Sequence, residues 1–399
     1  MVKDILYITT FSSTKEIENI RILSGQNPGY AIQKFSRLIS EGFIRNDVNV
    51  HTLSVLPISR KISKKLFWKP SDEVEYGIKF HHIPFLNIPF LRQWSLFVYA
   101  IAYLTRYCLH NRKEKVVFCD ALARSACMAA IFVCRLFRVR CVGIVTDMPG
   151  MVTKGVGNSV IANMVKKINI GFIKNFDALV FVTKYVNDVL NKKKKPYIVM
   201  EGTVDISVKD TVVKRENVET RDIVYAGCLH ERHGLKLLVE AFTKLPDTDI
   251  RLILFGDGPF SQELPRYIGK DSRIVYKGVV PNDVIIKAEQ DACLLINPRP
   301  THEDFVYYSF PSKNHEYMVS GTAVATTKLP CIPEEYDPYL FYLSDVSVNG
   351  IYNSLKSILS LSKEDLQEKG RKCRKFVLEK KNNVVQTKRI IELMDSLQS

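Results

Sequence analysis

No stretch of this chain reaches the run of about 18 uncharged apolar residues that a membrane-crossing helix needs. The best candidate, Trp94–Leu109, is 16 residues long and carries Arg106. Cysteines at C-x-x-C spacing are missing, and no histidine cluster stands at metal-ligand spacing. The nine cysteines, an odd number, therefore read as reduced, buried thiols, and a zinc site is not expected. Glycine (19) and proline (17) are too few for a collagen-like or low-complexity chain. The start, MVKDILYITTF, lacks a small-residue cleavage site and reads as a first strand, not a signal peptide. Acid is also short: 42 Asp+Glu against 57 Lys+Arg leaves a net charge of +15. With no zinc module, RNA-binding aromatic signature or basic recognition helix, nucleic acid is not the expected partner.

What the chain does have is apolar content for sizeable cores, 46% of 399 residues, and a length that suits two domains. Short runs rich in Val, Ile and Phe predict strands at Ile5–Thr9, Val48–Val55, Ile78–Ile83, Lys115–Asp120, Val139–Thr146 and Ala178–Thr183. Helical patterns at Tyr30–Gly42, Ala121–Phe137 and Ile161–Phe176 lie between them. A polar stretch, Val204–Asp222, reads as a linker. Alternation resumes with strands at Ile223–Gly227, Ile250–Phe255, Arg273–Gly278, Cys293–Asn297 and Thr322–Thr326. Helices are expected near Leu235–Lys244, Asp283–Gln290 and Pro311–Val319, and a last apolar-faced helix spans Val384–Leu397. Strand–helix alternation means parallel sheets covered on both faces. The expected fold class is α/β, two Rossmann-like doubly wound units at residues 1–204 and 205–383, with the tail 384–399 joining the first.

Ligands of open parallel sheets bind beyond the carboxyl ends of the strands, so the strand-to-helix loops carry the functional signal. In the first, Gly25, Asn27 and Gly29 precede a helix, where backbone amides could approach an anion. In the second half, one strand ends in Gly227-Cys228-Leu229-His230-Glu231-Arg232-His233-Gly234, another in Gly256-Asp257-Gly258-Pro259, a third in Pro298-Arg299. The segment Ser309-Phe310-Pro311-Ser312-Lys313-Asn314-His315-Glu316 pairs a turn with a helix start. Its free amides and the hydroxyls of Ser309 and Ser312 suit a diphosphate, with Pro311 near the first helical turn. Glu316 shares a helix face with Ser312 and Lys313, placed to accept both hydroxyls of a ribose.

The strings IVYAGCLHERHGLKLLVEAF, LILFGDGP, KGVVPNDVIIKAEQDACLLINPRP and SFPSKNHEYMVSGTAVATT resemble the C-terminal half of glycosyltransferase family 4. Thr146-Asp147-Met148-Pro149-Gly150, the run Leu179–Thr183 and Met200–Asp205 extend the likeness upstream. The resemblance implies a GT-B fold, two domains facing a central cleft. It also implies a retaining enzyme that takes a nucleotide diphosphate sugar, with UDP-sugar as the implied donor. The first domain would bind the acceptor and the second the donor. Glu316 matches the family's ribose-binding Glu, in an F-P-S-K-x-x-E-Y version of the motif. The family's other donor Glu falls on Tyr308, with Glu303 or Asp304 as replacements. The Arg and Lys of its G-R-L-x-x-x-K-G fall on Cys228 and His233. Lys313 would then face the diphosphate, with Arg232, His233 or Arg299 as further cations. Gly256–Gly258 corresponds to the nucleotide-facing loop, Val279 and Val280 to the base-contacting segment, and Asp147 to a sugar-contacting His. Lys313, Glu316 and Asp147 are thus the expected catalytic set.

No carboxylate pair stands at a retaining glycosidase's spacing. The resemblance implies instead a one-faced reaction in which the leaving phosphate takes the acceptor's proton, and the enzyme positions and stabilises charge. Neither metal nor other cofactor is expected. A same-fold epimerase or a catalytically weak nucleotide-sugar-binding scaffold are the alternatives. Basic and apolar residues mix from Arg60 to Phe97: Lys61, Lys64, Lys65 and Lys69, then Phe85, Leu86, Ile88, Phe90, Leu91 and Trp94. Such a mixture suits an anionic lipid surface. A lipid-linked or polysaccharide-precursor acceptor at the cytoplasmic membrane face is expected.

Overall fold

The computed structural model describes residues 1–25, 30–60, 62–109, 115–148, 160–210 and 221–397, with backbone only for Tyr30 and 160–166. Gln26–Gly29 (hence Asn27 and Gly29), Lys61 and Pro149–Gly150 lie outside the described residues. The chain divides into two compact units, Met1–Thr203 with Asn383–Ser399, and Val204–Asn382.

Unit 1 is organised by its first strand. Ile5, Leu6, Tyr7 and Ile8 are consecutive and fully buried, as a central strand covered on both faces requires. Its strands are β1 Asp4–Thr9, β2 Asn49–Ser54, β3 Phe67–Trp68, β4 Ser71–Glu75, β5 Ile78–His82, β6 Phe85–Leu86, β7 Lys115–Asp120, β8 Arg140–Val145, β9 Ala178–Phe181 and β10 Tyr197–Val199. The sheet order is β10-β9-β8-β7-β1-β2-β5-β4, and β3 pairs separately with β6. All sheet neighbours are parallel except β4, which runs antiparallel to β5. The chain builds outward from β1 to one side and later returns to β7 on the other. The strand order therefore reverses between β1 and β7, the place where such sheets open a crevice. The helices are α1 Thr14–Ser24, α2 Tyr30–Ile44, α3 Leu91–Leu109, α4 Arg124–Phe137, α5 Val160–Ile173 and α6 Lys184–Leu190.

Unit 2 repeats the plan with six strands: β11 Arg221–Ala226, β12 Ile250–Phe255, β13 Ile274–Gly278, β14 Leu294–Asn297, β15 Ala323–Thr327 and β16 Phe341–Leu343. Their order is β13-β12-β11-β14-β15-β16, all parallel, so the reversal falls between β11 and β14. Its helices are α7 Leu235–Phe242, α8 Leu264–Ile268, α9 Asn282–Asp291, α10 Ser312–Ser320, α11 Val348–Leu359 and α12 Lys363–Lys380. Leu238 and Phe242 of α7 and Leu355 of α11 fill one face of the sheet; Tyr317 and Met318 of α10 and Val377 of α12 fill the other.

The last helix, α13 Asn383–Ser396, belongs to unit 1. Ile390 and Met394 are fully buried in its core. Gly42 of α2 lets the backbones meet, since a Cβ there would stand 2.4 Å from the Asn383 carbonyl oxygen. Asn46 Nδ2 donates to the Val384 carbonyl (2.9 Å).

Three differences from the sequence reading matter. The first loop holds a helix, α1, over most of what was read as open loop. Ser13 caps it, its Oγ accepting from the Glu16 amide, and Gly25 ends it with φ 66°. The Gly25 amide donates to Arg21 O (2.8 Å), so it is spent on the helix end and is not free for an anion. Val204 is buried and bridges to Asn382, so it belongs to unit 2 and not to a linker. Helices α11 and α12 and strand β16 had no counterpart in the expectation.

Candidate functional site

In unit 2 the ends of β11, β12 and β14 and the start of α10 converge on the β11/β14 reversal. Helix α10 is bolted there by polar contacts. The Ala226 amide donates to Tyr317 Oη (2.9 Å), and Asn297 Nδ2 donates to Asn314 Oδ1 (2.8 Å). His315 Nε2 and the Tyr336 hydroxyl share a 2.7 Å bond, and burial holds the imidazole neutral, its pKa pushed down to about 3. Pro311 precedes the first turn and no side chain caps it; the Asn314 amide turns back to Pro311 O (2.8 Å), and the amides of Ser312 and Lys313 remain for an outside acceptor. Glu316 and Lys313 project from this turn and pair, Nζ to Oε2, at 2.9 Å, each about one-third exposed.

Close backbone approach explains the glycines. A Cβ on Gly256 (φ 115°) would lie 1.9 Å from the Gly227 carbonyl oxygen. On Gly258 it would lie 2.3 Å from that of Leu229, and on Gly234 it would lie 1.9 Å from that of Pro298. These loops can stack against one another only without side chains. Gly227 in turn faces the Lys313 stem: its Cβ would stand 3.5 Å from Lys313 Cε and 3.3 Å from the Tyr225 hydroxyl. That hydroxyl donates to Cys228 O (3.0 Å).

Arg299, just past β14, is the least ordinary residue here. Its side chain is largely buried and stacks on Phe305 with 5.3 Å from guanidinium carbon to ring centre. Its Nε is buried without an acceptor, and no carboxylate pairs with it among the described residues. Burial lowers its basicity, and Arg232 adds repulsion. His233 lies in the same field: burial, then Arg299, Arg232 and His230, lower its pKa, while its Nδ1–H donates to Cys228 O (3.2 Å). A buried guanidinium without a counter-ion is costly unless a ligand supplies the charge. Such an arrangement can take an anion, with the Glu316 carboxylate about one helical turn into α10.

The other expected residues divide by which part of each could serve. Asp257 is exposed, and its Oδ1 accepts from the Gly258 amide (2.7 Å). Ser309 accepts from the Cys331 thiol through its carbonyl, and Ser312 is exposed at the helix start. Phe310 is buried, stacked on His315 at 4.8 Å, so only its backbone is available. Val280 packs on the core, whereas Val279 is exposed. The sequence reading missed Tyr225, whose hydroxyl holds Cys228 O and closes on Gly227; its position two residues before the strand-ending glycine was the available signal.

Asp147 lies in the other unit. It lines a cavity of about 360 Å³ at the β1/β7 reversal, walled by Thr10, Leu56, Arg92, Leu122, Arg124 and Thr146 among others. Desolvation raises its pKa. Behind it Asp120 is fully buried, its Oδ1 accepting from the Leu122 amide (3.0 Å) and its Oδ2 without a partner. Burial and, less, the Asp147 charge push Asp120 up to about 7. In the basic–apolar segment, Phe85 and Trp68 are buried and stack on each other, contrary to the reading of Phe85 as lipid-facing. Leu66, Phe67, Phe90, Leu91 and Trp94 are exposed, as are Arg60, Lys64, Lys65 and Lys69. Among the described residues no helix is long and apolar enough to cross a membrane.

Residues 220–360, most of unit 2, match the family model described as Glycosyl transferases group 1. No curated protein sequence matches the chain. Solved structures share its fold over nearly their whole length. A glycosyltransferase from Rickettsia africae aligns at TM-score 0.67 and 12% identity, covering 99% of this chain and 98% of that one. Sucrose-phosphate synthase from Thermosynechococcus elongatus aligns at 0.62 and 12%, covering 99% of each. Anabaena Alr3699/HepE, solved in complex with UDP, aligns at 0.61 and 12%, covering 98% and 100%. The fold is GT-B, two doubly wound α/β domains.

Proposed function

We propose that the protein is a retaining, family 4-like glycosyltransferase. It moves a hexose or N-acetylhexosamine from a nucleotide diphosphate sugar, UDP-linked by preference, to a lipid-linked or polysaccharide-precursor acceptor. The observation that carries this reading is Arg299, unpaired and largely buried, beside the uncapped start of α10 with its Lys313–Glu316 pair. Glu316 takes the ribose hydroxyls, and the α10 amides, Lys313 and Arg299 take the diphosphate. Charge that builds on the leaving diphosphate meets preorganised cations in a partly desolvated place, where each contributes most. The acceptor hydroxyl gives its proton to that phosphate as its oxygen bonds the anomeric carbon, so no protein nucleophile is needed.

The structural relative solved with UDP supports the choice of base. The exposed mixture of Phe90, Leu91 and Trp94 with Arg60, Lys64, Lys65 and Lys69 supports docking on anionic lipid, since its charge complements that surface. The test is incubation of the full chain with a panel of labelled nucleotide sugars. Release or transfer of the sugar with retained configuration is expected for one UDP-sugar. Inversion at a ring carbon without release would make it an epimerase, and binding without turnover a scaffold.

A further inference from the structure

The charge excess belongs to unit 1 alone. That unit carries 32 Lys+Arg against 16 Asp+Glu, while unit 2 carries 25 against 26. Within unit 1 the imbalance is sharpest in one layer. The chain steps from β5 to β7, β8 and β9 in one direction along the sheet, so right-handed crossovers put α3, α4 and α5 on the same face. Helix α4 lies between the other two. Along one side α3 packs on it, with Ser125 Oγ bonded to Gln93 Oε1, and on the other Arg124 donates to Asn169 Oδ1 of α5 (2.8 Å). None of the three helices contains an Asp or a Glu.

The sides of α3 and α4 turned away from the sheet are apolar. On α4 the exposed Met128, Phe132 and Leu136 follow at four-residue spacing and form one stripe, with Phe132 59% and Leu136 69% exposed. On α3 the exposed Leu91, Trp94 and Val98 form another, away from the buried Leu96, Ala100 and Leu104. Exposed arginines stand towards the carboxyl ends of both helices, Arg106 on α3 and Arg135 and Arg138 on α4. Large apolar side chains left in water on neighbouring helices mark a surface that something covers. A second copy of the chain would set arginine against arginine, with no carboxylate on these helices to offset the repulsion. An anionic lipid surface suits both parts: the stripes enter the acyl boundary and the arginines reach the headgroups.

We infer that the α3/α4 layer is an interfacial membrane anchor, inserted through Met128, Phe132 and Leu136 as well as the start of α3, on a surface rich in anionic phospholipid. This deepens the lipid-docking part of the proposed function, which used only the segment from Arg60 to Trp94, and rests on it for the choice of an anionic surface. Insertion makes part of the binding resistant to salt, because apolar burial is not screened. The test sediments the full chain with vesicles of equimolar phosphatidylglycerol and phosphatidylcholine. Phe132→Ser with Leu136→Ser, at exposed positions where a polar residue leaves the core intact, should weaken partitioning by about 10- to 100-fold at low and high salt alike. Lys64→Glu with Lys65→Glu should remove only the salt-sensitive part. Phe132→Trp, in a chain also carrying Trp94→Phe, should fluoresce and be quenched by lipid brominated in its acyl chains. Equal partitioning of the parent and the Phe132/Leu136 double variant, or an unquenched Phe132→Trp, overturns the inference; quenching of Trp94 in the parent would then leave the narrower docking of the proposed function standing. A parent dimer by light scattering that the double variant converts to monomer would assign the face to a second copy and overturn the lipid. Failure to turn over any nucleotide sugar would overturn the enzyme reading and not this one.

Discussion

The two units share a plan and differ in chemistry. Each is a parallel sheet whose strand order reverses beside its first strand, between β1 and β7 in unit 1 and between β11 and β14 in unit 2. Each places its polar groups at that reversal. In unit 2 glycine loops stack closely around Arg299 and the Lys313–Glu316 pair at the start of α10, the groups proposed to take the donor. In unit 1 the same position is a walled cavity, with Arg92 and Arg124 in it and the carboxyls of Asp147 and, behind it, Asp120. The comparison teaches that the topology fixes where a site forms, while a few residues at the strand ends decide what it takes.

The largest expected effect breaks unit 2 alone. Arg299→Ala should lower turnover of the donor sugar by about 100- to 1,000-fold, the range for losing one preorganised charge-stabilising group. The denaturant stability of unit 1, which does not contain Arg299, should not change. Steady-state kinetics and a denaturant melt on the same preparation check both halves, and intact turnover would remove Arg299 from the donor site. Next is Glu316→Ala. Loss of a charged contact to the ribose should weaken UDP binding by about 10- to 100-fold, measured by titration calorimetry; unchanged affinity would reject that role.

The smallest effect sharpens the contrast through pH. His315 in unit 2 has a folded pKa of about 3, below its usual 6.5, so the unfolded state binds more protons between those values. Unit 2 should lose stability as pH falls from 6.5 towards 3, by up to about 1.4 kcal/mol per pH unit. Asp120 in unit 1 behaves oppositely. Its folded pKa of about 7 lies above the usual 3.8, so its contribution is present below 3.8 and is lost as pH rises towards 7. Denaturant melts across pH 4–8 should show the two transitions drifting in opposite directions. Asp120→Asn should flatten the unit 1 trend, and an unaltered trend would show that another group sets it.

Much of this was legible from residue order. Ile250–Phe255 is a strand over the expected residues because a continuous apolar run between turn residues has few other stable fates. Glycines 234, 256 and 258 stood out because backbone needs them. Helix α1 was read as loop, because its exposed Ile22 and Leu23 blur the apolar face that marks a helix, and the Ser13 cap on the Glu16 amide shows only in the structure. Helix α12 hid for a similar reason: charged residues crowd its sequence, and it packs through scattered positions such as Leu366, Cys373 and Val377.

By itself, then, the sequence determined the alternation of strands and helices, the loops that carry glycine, and the Lys313–Glu316 spacing, because these depend on neighbours within a few residues. Only the tertiary structure decided that Arg299 lacks a partner, that Phe85 faces inward, that Asp120 lies behind Asp147, and that Arg92 shares a cavity with the start of α4. Those facts depend on which distant segments exclude water from a side chain. Burial, and with it the cost of an unpaired charge, is a property of the packed fold and not of any local stretch of chain.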